Sequence, residues 1–180
     1  MKRALLPCLL LLGACDTGYD EASATKDRAA AQANWAIILK IDGTDVRLPL
    51  DEMNVLLFKD EEYASKNPTV FRIMGKEISL YGEIPPANQP GYGEDWKKMI
   101  GATLSVKAAG EYFHETIESK FTIPGKGEVQ VVGGTLTPES YSGKWSGSQG
   151  DKTPTGKITL VLRDGRTVSG TFATHAFTWG

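Results

Sequence analysis

Apolar positions along this chain recur mainly with a period of two, the spacing of a strand with one buried face. Residues 35–41 are rich in bulky apolar side chains, Asp42-Gly43 interrupts them, and Val46, Leu48 and Leu50 then alternate with polar residues. An Asp-Gly pair between two such runs predicts a hairpin. Pro49 has no N–H to give to a ladder, so the second strand lies at a sheet edge or ends there. Residues 51–66 admit two readings. Val55 to Phe58 can form a strand, or Asp51, Met53, Leu56 and Leu57 can open a short helix running towards Tyr63.

Residues 70–84 read as two strands joined through Gly75, with Ile78, Leu80 and Ile84 on one face. Pro85-Pro86, Pro90-Gly91 and Gly93 mark 85–95 as a loop. Asp95 can then cap a helical turn from Trp96 to Ile100. Thr103 to Ala108 reads as extended. The cleanest alternation runs over 112–123, with Phe113, Ile117, Phe121 and Ile123 on one parity and His114, Thr116, Glu118, Lys120 and Thr122 on the other. That predicts one continuous strand, buried on one side and wet on the other. Val129 to Val132 predicts a further strand after the Pro124-Gly125 turn, ending at Gly133-Gly134.

Ser142 to Ser148 is a candidate strand, and Ile158, Leu160 and Leu162 alternate cleanly. Asp164-Gly165 predicts a second hairpin, with 168–179 returning across it. Glycines 143, 147, 156 and 170 predict tight bends or close approach between layers. The expected fold is all-β: an antiparallel β-sandwich or a small, partly open β-barrel with minor helix.

The first residues follow a different rule. Met1-Lys2-Arg3 is followed by an apolar run from Ala4 to Leu12, too short to cross a bilayer. A charged start and a short apolar run form a secretion signal. Leu12-Gly13-Ala14-Cys15 then resembles the bacterial lipobox. That resemblance implies that the signal, 1–14, is cleaved before Cys15 and that the Cys15 thiol carries lipid. Two or three acyl chains anchor firmly where one is marginal. Asp16 resembles the inner-membrane retention signal of some enteric bacteria. Residues 15–34 read as the lipidated Cys and a tether, since they are polar and small with almost nothing to bury. One β-rich domain follows over 35–180.

Composition narrows the chemistry. The protein has two cysteines. Cys8 leaves with the signal and Cys15 is lipidated, so neither a thiol nucleophile nor a zinc–thiolate site is expected. The net charge is −2 and becomes more negative once Lys2 and Arg3 are removed, so no nucleic-acid partner is expected. No cofactor motif occurs: there is no dinucleotide fingerprint, P-loop or calcium loop.

His114 and His175 are the only histidines, both within predicted strands, with no ligand spacing that would bind a metal. Ser146 in Lys144-Trp145-Ser146-Gly147-Ser148 only superficially resembles a nucleophile elbow, which has the form Gly-x-Ser-x-Gly. No catalytic residue is therefore assigned. Tyr92 and Trp96 give the loop 85–98 the make-up of a sugar-binding rim. Trp145, Phe177 and Trp179 sit in Gly/Ser/Thr-rich stretches with little else to pack. These five form the candidate binding face, since aromatics concentrate at interfaces. Phe177-Thr178-Trp179 also lies in a last strand whose outer edge can accept a partner strand.

The expected function is thus a lipid-anchored envelope protein, facing the periplasm, with a binding or assembly role towards an envelope protein. The alternatives are a barrel carrying a hydrophobic ligand, and a glycan-binding or hydrolytic protein.

Overall fold

A computed structural model describes residues 34–56, 66–90, 96–142 and 153–179. The fold is all-β, 69% strand and 6% helical, built on a closed barrel of four strands with further strands packed outside it. The strands are β1 (Ala36–Ile41), β2 (Thr44–Pro49), β3 (Glu52–Leu56), β4 (Thr69–Gly75), β5 (Ile78–Ile84), β6 (Leu104–Lys107), β7 (Ala109–Tyr112), β8 (Glu115–Glu118), β9 (Lys120–Ile123), β10 (Gly127–Ser142), β11 (Thr153–Leu162), β12 (Thr167–Ala173) and β13 (Ala176–Trp179). Two 3-10 turns, Pro86–Asn88 and Trp96–Met99, stand among the described residues.

One sheet runs β13-β3-β4-β5-β6-β10-β11-β12-β1-β2. The ring closes because β9 pairs with both β10 and β5, while β6 joins the same two strands on the other side. Its inward residues belong to one apolar cluster that includes Leu80, Leu104, Phe121, Val131 and Leu136, none more than 1% exposed. The cluster continues outside the ring through Ile37, Leu39 and Leu48 to Met53, Val55 and Phe71. Period-two burial carries this core. In β11, for example, Ile158, Leu160 and Leu162 are buried while Lys157 is exposed.

Both Asp-Gly hairpins form. Asp42 and Gly43 take φ of 51° and 80°, the left-handed pair that a two-residue turn needs. Arg166 links the two turns, reaching Asp164 at 2.8 Å and Asp42 at 3.1 Å. β2 is the outermost strand at its end of the sheet and stops at Pro49, as the missing donor requires. At Gly156 and Gly170 a Cβ would strike the carbonyl oxygens of Thr137 and Ile38 on neighbouring strands. Residues 52–56 take the strand reading rather than the helical one. Positions 57–65 and glycines 143 and 147 lie outside the described residues.

Four expectations need correction. The stretch 112–123 is not one strand. It breaks into the turn Phe113-His114, β8, Ser119 and β9, because Phe113 and His114 both turn left-handed. Gly133-Gly134 does not end a strand. β10 runs through it with a register shift between Val131 and Gly133, which lets one long strand serve both β9 and β11. Residues 168–179 do not return as one strand. After β12 the chain passes through Thr174 and His175 and crosses to pair β13 parallel with β3. Neither histidine lies in a strand: His114 is in an exposed turn, and His175 is 2% exposed between β12 and β13.

Candidate functional site

β7 and β8 belong to no other sheet. They form a separate two-stranded hairpin, Ala109↔Glu118 through Tyr112↔Glu115, laid against β5 and β4. Its turn is Phe113-His114, with φ of 47° and 67°. Two-residue hairpins favour Asn-Gly here because both central residues must be left-handed. A side chain larger than Gly pays roughly 1–2 kcal/mol for that conformation. Phe113 bears that cost at a position where the residue is 54% exposed. The ring meets Tyr112 edge-on, 5.0 Å between centroids. Glu111, Glu115 and Glu118 are all exposed on this hairpin, which carries no Lys or Arg.

The root of the hairpin is riveted by Ser119, which is fully buried. Its N–H donates to the Ala108 carbonyl, its hydroxyl oxygen accepts from the Tyr81 N–H, and its carbonyl accepts from Val131 N–H, all at 2.8–2.9 Å. Gly110 lies directly on the Tyr81 ring, leaving no room for a Cβ. Burial is the main force raising the Tyr81 phenol above its ordinary range, with Glu83 and Glu111 adding to it.

Tyr112 points from the hairpin onto the outer side of β4. It is 1% exposed, and the Arg72 guanidinium carbon lies 4.6 Å from its ring centroid. Arg72 Nη1 also stands 3.8 Å from Glu115 Oε2 on the far arm. The Tyr112 hydroxyl and Arg72 Nε are both buried, and among the described residues neither has a hydrogen-bond partner. An unmet buried donor costs about 1–3 kcal/mol. Burial pushes the Tyr112 phenol up to about 12; Arg72 pulls it down, and Glu52 pushes it up. At neutral pH the phenol therefore keeps its proton and remains a donor.

One register row crosses the sheet through Phe177, Asn54, Arg72, Tyr81 and Lys107, each the register partner of the next, and its Arg72 and Tyr81 meet the hairpin. Asn54 is 1% exposed and donates to Glu52 at 2.7 Å. Trp179 is the register partner of Leu56. Among the described residues β13 has a neighbour on one side only. Trp96 opens a 3-10 turn elsewhere in the chain. Tyr92, Trp145, Ser146 and Cys15 lie outside the described residues.

Sequence reasoning missed Arg72, Tyr112 and the turn position of Phe113. The available signal was the adjacent pair Tyr112-Phe113, since strict alternation can bury only one of two neighbours. Among the described residues no group of three or more His, Cys, Asp or Glu is placed to hold a metal, and no helix is long and apolar enough to cross a membrane. The architecture is that of an all-β protein with a small closed ring and an added hairpin. No protein-family model, curated protein or solved structure matches this chain.

Proposed function

We propose that this chain is a lipid-anchored protein of the bacterial envelope whose β-domain faces the periplasm and binds a protein partner. Leu12-Gly13-Ala14-Cys15, after the charged start and short apolar run, supports the anchor, and Asp16 favours the inner membrane. The observation that carries the binding role is Phe113, half exposed on a left-handed turn at the tip of a hairpin separate from the main sheet. Strain held at an exposed aromatic is a cost that stability alone does not repay, and such strain collects at binding sites. The flanking glutamates define the partner's chemistry as an apolar pocket with a basic rim.

A four-strand ring encloses less space than the eight-strand barrels whose interiors side chains just fill, so the ring favours no carried ligand.

Placing a photo-crosslinking residue at 113 in intact cells tests the reading. The expected result is one dominant protein adduct, absent when the residue is placed at exposed Lys157 and lost with Glu111→Lys plus Glu115→Lys. Equal labelling from positions 113 and 157, or an adduct indifferent to the charge reversal, would overturn it.

A further inference from the structure

We propose that the Arg72 Nε–H and the Tyr112 O–H together bind one amide carbonyl oxygen, supplied by a peptide segment that lodges beneath the β7–β8 hairpin. This rests on the hairpin being the docking element, and it names the chemistry of its underside. Both donors are buried and unmet, and the guanidinium carbon is 4.6 Å from the ring that carries the hydroxyl. Two unmet donors thus sit on side chains packed against each other, and neither finds an acceptor among the described residues. Closing the hairpin over them removes their water and returns no hydrogen bond, so the closed form gains from an acceptor placed there.

The charge around the pair selects the acceptor. Arg72 already faces Glu115 at 3.8 Å, and Glu52 acts on the Tyr112 phenol from the sheet. An incoming carboxylate would meet two like charges, whereas a neutral amide carbonyl meets none while still accepting from both donors. The hairpin has the construction needed to admit it. Its strands pair only with each other, and it is held at its root by Ser119 and by the Gly110–Tyr81 contact. Lifting the tip therefore breaks no ladder of the main sheet.

The test is a titration of the full-length protein in detergent micelles, labelled with 15N-arginine, using N-methylacetamide as the probe and sodium acetate at matched ionic strength as the comparison. The Arg72 Nε–H signal should shift along a saturating curve with the amide, while that of exposed Arg163 should not saturate. Tyr112→Phe should weaken the apparent affinity about tenfold, the equivalent of one hydrogen bond. It should not lower the melting temperature, since it removes an unmet polar atom. A flat Arg72 signal, or an unchanged affinity in Tyr112→Phe, means that the donors are served by resident water and overturns the site. Saturation by acetate in place of the amide overturns the neutral acceptor. Neither result bears on the crosslink from position 113, so the two readings fail separately.

Discussion

Trp35 and His175 stack ring on ring, 4.8 Å between centroids and 25° between planes. The first residue of the core thereby closes over the segment that carries the chain from β12 to β13. The backbone ties the same corner: the Leu50 N–H donates to the Trp35 carbonyl, and the Met53 N–H donates to the His175 carbonyl. Both passages between the two ends of the long sheet, β2 to β3 and β12 to β13, are fastened here. Trp35→Ala should destabilise the protein by about 3–5 kcal/mol, as a buried aromatic truncation does. The urea midpoint measures this. A loss below about 1 kcal/mol would show that the corner is held without the indole.

The glycines make a sharper comparison, because two of them face opposite constraints. Gly43 has φ of +80° and open space where a Cβ would go, so Gly43→Ala meets only the left-handed penalty of about 1 kcal/mol. At Gly170 the Cβ would run into the Ile38 carbonyl, which is fixed in the β1–β12 ladder. Gly170→Ala should cost about 3 kcal/mol or more, since backbone and not a side chain must give way. Equal melting temperatures for the two variants would contradict the close approach of β12 to β1.

These cases show what was legible in the chain. Asp42-Gly43 and Asp164-Gly165 declared their hairpins because turn chemistry is local, and Pro49 marked an edge because its missing donor is local too. Pairing is not local. Nothing in Ala176-Phe177-Thr178-Trp179 distinguishes a strand that continues β12 from one that crosses over to lie parallel with β3. The hairpin site was hidden for a related reason. The parity of Phe113 with Ile117, Phe121 and Ile123 favoured one long strand, and only tertiary packing of Tyr112 under Arg72 decides that Tyr112 goes in and Phe113 goes out. Of the five aromatics expected to form a binding face, Phe177 lies two register steps from Arg72, through Asn54.

The two phenols at the hairpin make stability depend on alkaline pH. Tyr112 is raised from an ordinary value of 10.0 to about 12, chiefly by burial, and Tyr81 is raised in the same direction. Above pH 10 the unfolded chain gives up phenolic protons that the folded protein retains. Stability from these groups is therefore complete below the unfolded value and lost as pH climbs through the folded one. Urea midpoints measured from pH 9 to 12 should fall less steeply in Tyr112→Phe than in wild type. Parallel curves would mean that the phenol is not buried in solution.

Replacing Phe113-His114 with Asn-Gly separates folding from binding. Asn-Gly is the pair best suited to this turn, so the double variant should gain about 1–2 kcal/mol from relief of the left-handed residues. The melting temperature should rise by a few degrees. The same change removes the exposed ring, so the proposed capture of a partner by the hairpin should be lost. A more stable protein that binds less well is the signature of strain retained for recognition. If the variant is instead less stable, the Phe113–Tyr112 edge contact is structural and the tip is not a binding element.

The proposed lipid at Cys15 would set a geometric condition for binding at this domain. If Cys15 carries two or three acyl chains, the protein stays with the membrane through repeated encounters, because a second chain converts marginal attachment into stable attachment. Cys15→Ser removes the acceptor thiol, so the protein should move from the membrane pellet to the soluble fraction on ultracentrifugation. Its melting temperature should not change, because position 15 precedes Trp35, the first residue of the described core, by twenty positions. Crosslinking from position 113 in this variant then tells two kinds of partner apart. A membrane-bound partner should lose its adduct with the anchor, since confinement to one surface raises the effective concentration of both proteins. A soluble periplasmic partner should keep it. A Cys15→Ser protein that still sediments with the membrane would remove the lipid from the account and leave the hairpin to explain the association.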